Sequence, residues 1–206
     1  MKKVLVINTK YQKYGGEDSN IVEEIKFLNK FYKVDYLNFD NSEKLKISDI
    51  IAFFSLSNFE TNKVLKLKLK SFKPDIVYIH NTWFKANLGI FNILKKQDVE
   101  IILKIHNFRF ACTDTFSAAV HFNNNNICYR CGKRKNKLNF FNKYYKNSYI
   151  KSLFVTIYGK KYIKIMQQHS LKIVVLNNFY KTHLLRKKID KDKVFINYNP
   201  FEISKN

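Results

Sequence analysis

The sequence predicts an α/β fold, a parallel sheet with helices on both faces. Three observations carry this. Short apolar runs alternate along the chain with stretches whose apolar residues recur at helical spacing. The runs are largely continuous, as strands buried on both faces require. The conspicuous residues outside the apolar runs, one glycine pair and two His-Asn pairs, each follow such a run, where sheets of this kind bind ligands.

The first run, KVLVIN (3–8), is a buried-strand candidate, and Ile21, Val22, Ile25 and Leu28 then recur at helical spacing. KVDYLNF (33–39) alternates weakly and reads as the second strand. Residues 40–71 are lysine-rich and include a helix over 59–71. PDIVYIH (74–80) is the third strand, a helix follows over about 86–97, and EIILKIH (100–106) is the fourth strand. Periodicity lapses over 107–147, which reads as an irregular insertion carrying all three cysteines. A helix over 148–168, the strand KIVVLN (172–177), a helix over about 178–187 and the strand KVFINYN (193–199) complete the pattern. In the helix over 148–168, Ile150, Leu153, Phe154, Ile157, Tyr158, Tyr162 and Ile165 form the expected apolar stripe, with Lys151, Lys160 and Lys164 off it. Such a stripe packs on the sheet; the competing use of the helix is to present its basic side to anionic lipid.

A chain of 206 residues, 46% of them hydrophobic, is long enough for one sizeable core. The start, MKKVLVINTKYQ, has too short an apolar stretch for a secretory signal. No window approaches the roughly 18 continuous apolar residues that span a bilayer. Three cysteines, an odd number, point to a reducing cytoplasm.

The net charge of +22 suggests a polyanionic partner, but only four of the 38 basic residues are arginine. A groove reading phosphates or bases would use more of arginine's bidentate fork, which argues against nucleic acid. Lysine serves as well as arginine at an anionic membrane surface, so that partner stays in view.

Five glycines serve the whole chain, and two of them, Gly15 and Gly16, lie together after the first strand. Without Cβ atoms they let backbone approach a ligand, and the free N–H groups of the helix beginning near Glu17 and Asp18 favour an anion there. The pair is not a dinucleotide fingerprint, which needs G-x-G-x-x-G. After the third strand stand His80, Asn81 and the only tryptophan, Trp83; after the fourth stand His106, Asn107 and Arg109. Two imidazoles, two amides and a guanidinium on one rim suit sugar hydroxyls or a phosphate. Cys128 and Cys131 form C-x-x-C, with Cys112 sixteen residues earlier. Three thiolates fall one short of a tetrahedral zinc set, which His121 or His106 would have to complete, so free thiols in a loop are the favoured reading over a metal site.

VLVINTKYQKYGGED, KPDIVYIHNTW, ILKIHNFRFAC, the C-Y-R-C knuckle, IVVLNNFYKTHL and KVFINYNPFE together resemble the N-terminal domain of family 4 glycosyltransferases of the GT-B fold. The likeness runs from residue 2 to about 202 and implies a Rossmann-like, acceptor-side domain over 1–202, with residues 203–206 opening an interdomain linker. It implies retaining transfer of a sugar from a nucleotide-sugar to a saccharide or lipid-linked acceptor in surface polysaccharide synthesis, at the inner membrane face and with no required cofactor. Gly15, Gly16 and Glu17 would lie against the donor diphosphate and His106 would hold the catalytic position beside the reacting sugar. His80, Asn81, Trp83, Asn107 and Arg109 would face the acceptor side. The family's second domain, which binds most of the nucleotide-sugar, is not in the sequence, so the chain alone is expected to be inactive or nearly so, and it reads as a fragment, a truncated gene, or half of a split enzyme that works with a separate C-terminal domain chain. The alternatives are a basic nucleic-acid-binding or zinc-knuckle module, and a non-catalytic remnant or partner subunit.

Overall fold

The computed structural model describes residues 1–10, 16–41, 51–52, 55–107 and 148–198. Six strands form one all-parallel sheet: β1 Lys3–Lys10, β2 Lys33–Asp40, β3 Ile76–Ile79, β4 Glu100–Ile105, β5 Lys172–Val175 and β6 Val194–Ile196. Their spatial order is β2-β1-β3-β4-β5-β6. The helices are α1 Gly16–Leu28, α2 Phe59–Phe72, α3 Gly89–Leu94, α4 Tyr149–Gln168 and α5 Asn178–Arg186, with a 3-10 turn at Lys191–Lys193. The architecture is Rossmann-like α/β, as the sequence predicts.

Two compact units divide the chain. One comprises Met1–His106, His169–Thr182 and Asp190–Asn206 and holds the whole sheet; the other comprises Asn107–Gln168 and His183–Ile189.

Strand order reverses direction between β1 and β3. The first connection runs outward from β1 to β2, and every later one runs the other way. Right-handed crossovers therefore put α1 on one face of the sheet and α2 on the other. Both faces of β1 and β3 are buried, which is why their sequences are continuously apolar. On α1's face, Val4, Val6 and Tyr78 form a cluster against Ile25 and Leu28 of α1, with Val34, Tyr36, Ile76 and Ile102 around it. Leu5, Ile7, Val77, Ile79 and Leu103 point the other way and are fully buried.

The helix ends are set by local chemistry. Asn58 caps α2, its side chain accepting from Thr61 N at 3.2 Å. Lys73 closes α2 in the left-handed region (φ 49°), donating to Leu69 O at 3.0 Å, and Pro74 prevents continuation. The helix expected over 86–97 is regular only over Gly89–Leu94. Asn87 is left-handed (φ 60°), buried, and donates to Ala52 O at 2.7 Å, so no helix can begin before it. Gly89 follows in a close approach: a Cβ there would stand 2.9 Å from Ser57 Oγ and 3.1 Å from Leu56 O. The third and sixth strands are also shorter than their apolar runs suggest, as is common at strand ends.

The stripe expected on α4 is rotated. Its buried residues are Ser152, Val155, Tyr158, Gly159, Tyr162 and Met166, while Ile150 and Leu153 are exposed. Tyr158 and Tyr162 of the expected stripe are buried, and the small residues Ser152 and Gly159 share their face. Ser152 hides its hydroxyl by donating to Ser148 O at 2.6 Å, so a nominally polar residue can be buried.

Candidate functional site

The carboxyl end of the sheet is where apolar rows give way to polar ones on α1's face. Register sets Val6 opposite Tyr36 and Tyr78, and Tyr78 opposite Ile102. One row further, Asn8 pairs with Asn38 and Lys104 with Val174. His80 N donates to Ile7 O at 2.9 Å and continues the β1–β3 ladder, which brings the His80 side chain between Asn8 and Lys104 in that row. Period-two alternation then carries His106 to the same face, past the end of β4.

The polar row is bound together beneath α1. Glu24, on the buried side of α1 one turn from Ile21, forms an ion pair with the fully buried Lys104. The other carboxylate oxygen of Glu24 accepts from Tyr78 Oη at 3.4 Å and lies 3.5 Å from His80 Nε2. That last distance is electrostatic proximity rather than a formed hydrogen bond, and His80 Nε2 has no hydrogen-bond partner among the described residues. On its far side, His80 Nδ1 lies 2.9 Å from His106 Nε2. The ring centres are 5.2 Å apart and the planes 22° from parallel, so the two imidazoles meet edge to edge along the N–N line.

Both histidines are neutral. Burial, then the proximity of His106 and Lys104, holds the His80 pKa well below its ordinary value. Burial and then Lys104 lower that of His106 to about 3. Burial, with the Glu24 charge second, pushes the Tyr78 hydroxyl in the opposite direction.

Asn81 ties the loop after β3 to the end of β1. Its Nδ2 donates to Thr9 O at 2.7 Å and its Oδ1 accepts from Trp83 N at 2.9 Å. Asn41, just past β2, donates from Nδ2 to Trp83 O at 2.8 Å. The segment carrying His80 and Trp83 is thus held against the ends of β1 and β2, at the point where strand order reverses. Beside it, Asn8 Oδ1 and Thr9 Oγ1 are buried with no hydrogen-bond partner among the described residues.

Gly16 opens α1 at this same end of the sheet. It is exposed, and among the described residues nothing beyond its chain neighbours and its own helix backbone lies within 4 Å of where its Cβ would stand. Glu17 and Asp18 occupy the first turn. Their charges suit the positive end of the helix and add negative charge where an incoming anion would arrive. Tyr180, in the first turn of α5, donates to the backbone oxygen of His106 at 3.2 Å. Its own hydroxyl is raised in pKa by burial and next by the Glu17 charge.

Of the residues expected in a site, the structure brings His80, Asn81, Trp83, His106, Gly16 and Glu17 to one end of the sheet, and Asn107 follows His106 directly. Gly15, Arg109, Cys112, His121, Cys128 and Cys131 lie outside the described residues. Glu24, Tyr78, Lys104 and Tyr180 were not anticipated. The signal for two of them is in the sequence: Lys104 interrupts an otherwise apolar strand, and Glu24 falls at i+3 from Ile21 on the face α1 buries. A buried lysine needs a carboxylate within reach, and the helix over the same face is the place to look. No family model matches the chain, and no curated protein matches it.

Proposed function

We propose that this chain is the acceptor-side half of a retaining glycosyltransferase, which moves a sugar from a nucleotide-sugar to a saccharide or lipid-linked acceptor. The observation that carries the proposal is the placing of His80, His106 and the start of α1 on one rim, at the reversal of strand order, where open α/β sheets bind their ligands. The order of motifs resembling family 4 glycosyltransferases supports it. In this reading the donor diphosphate meets the backbone N–H groups at Gly16 and Glu17, and His106 faces the sugar. The unpartnered Asn8 Oδ1, in the same row as His80, marks further hydrogen-bonding capacity on that face. A second α/β domain of the kind that family carries would hold most of the nucleotide.

The acceptor reaches the cleft from an anionic membrane. Support for that part is the net charge of +22.

The test is a titration of the isotope-labelled chain with a panel of nucleotide-sugars and with inorganic pyrophosphate, followed by amide and imidazole resonances. Shifts concentrated at residues 16–19 and at His80 and His106 are expected with at least one nucleotide-sugar. Shifts confined to other parts of the chain, or a response to oligonucleotides alone, would overturn the assignment.

A further inference from the structure

The Glu24–Lys104 pair sits behind the two histidines, away from the end of the rim, and no expected site residue accounts for it. We propose that Glu24 is a positioning residue. Its carboxylate, held by Lys104 and Tyr78, fixes the proton of His80 on Nε2, so that His80 accepts at Nδ1 from His106 Nε2–H and His106 keeps a bare Nδ1 as an acceptor.

The reasoning is one of matching donors to acceptors. A neutral imidazole carries one N–H, so one ring nitrogen donates and the other accepts. If the His80 proton sat on Nδ1, the Nε2 lone pair would face a carboxylate oxygen 3.5 Å away. The His80 side chain is fully shielded from solvent, so that repulsion would act at low dielectric. With the proton on Nε2 the same contact is attractive. His80 Nδ1 then offers a lone pair, and the 2.9 Å contact requires His106 to be the donor through Nε2. Lys104 contributes twice: it anchors the other carboxylate oxygen, and its charge disfavours a doubly protonated ring in either histidine.

The consequence for recognition rests on the sugar-transfer reading. An imidazole that presents a lone pair accepts from a hydroxyl and repels a fully ionised phosphate. The rim would then divide its labour, with the start of α1 for the anion and His106 for a hydroxyl of the sugar.

The experiment is long-range nitrogen–proton correlation of the imidazoles in the ligand-free chain, wild type and Glu24→Gln. In wild type, both His80 and His106 are expected to show a pyrrole-like Nε2 and a pyridine-like Nδ1. In Glu24→Gln, the carbonyl stays with Lys104 and the new NH2 faces His80 Nε2, which must now accept. The proton therefore moves to Nδ1 in both rings, and the pyridine-like resonance moves to Nε2 in both. A wild-type spectrum with Nδ1–H on either histidine overturns the proposal even if the variant fails to fold. A folded variant with unchanged tautomers overturns it too. Expected tautomers without any response to nucleotide-sugars would sustain the role of Glu24 and sink only the sugar assignment.

Discussion

Glu24 and Lys104, 80 residues apart in the chain, form a buried ion pair between α1 and the last turn of apolar sequence in β4. Removing one partner leaves the other charge buried and alone. Lys104→Met should cost about 3–5 kcal/mol of unfolding free energy, whereas Glu24→Leu with Lys104→Met should recover most of that loss. Urea unfolding of the two single variants and the double variant measures the coupling. Additive losses would show that the pair does not interact as described.

The neutral histidines give stability a definite pH dependence. His106 titrates at about 3 in the folded chain and near 6.5 when unfolded, so between these values the unfolded state binds the extra proton. Stability is therefore lost as pH falls from about 6.5 toward 3, at about 1.4 kcal/mol per pH unit for this group. His80, shifted in the same direction by burial, adds to the loss. His106→Gln should show a shallower decline over that window. Parallel curves for variant and wild type would contradict the assignment.

The two described glycines at helix starts should respond in opposite ways. Gly89→Ala pushes a methyl group against Ser57 and Leu56 and should destabilise by about 1–3 kcal/mol. Gly16→Ala meets open space and should leave stability unchanged or slightly raised. Thermal unfolding of both variants decides the matter. Any loss at Gly16 comparable to that at Gly89 would mean the start of α1 is packed rather than accessible.

Asn81 uses both ends of its amide, as donor to Thr9 O and acceptor from Trp83 N. Asn81→Ala should cost about 1–3 kcal/mol by leaving buried backbone groups unpaired. Asn81→Asp should cost more, because it sets a carboxylate oxygen against the Thr9 carbonyl. Denaturant midpoints falling in the order Asn, Ala, Asp are expected; Asp matching Asn would refute the tie.

Much of the fold was legible in the sequence because β1, β3 and β4 are buried on both faces and their apolar runs stand out without alternation. The polar residues after the strands were legible for the same reason. The network behind them was not. Lys104 looks like an interruption until register puts it level with His80, and Glu24 lies on another element 80 residues away. On α4, Tyr158 and Tyr162 of the apolar stripe are buried as their spacing predicts, but Ser152 and Gly159 share that face and large apolar residues alone do not reveal them. Asn87 in the left-handed region shortened α3, a backbone preference that apolar spacing does not carry.

The central claim is that a nucleotide-sugar lies on the rim shared by Gly16 and His106 with its sugar toward the imidazole. Saturation-transfer difference spectroscopy on a nucleotide-sugar in the presence of the chain addresses it directly. Transfer to the sugar protons that disappears in His106→Ala, while the base protons keep what they had, is the predicted result. Sugar signals that are absent in the wild type, or indifferent to His106→Ala, would contradict the account.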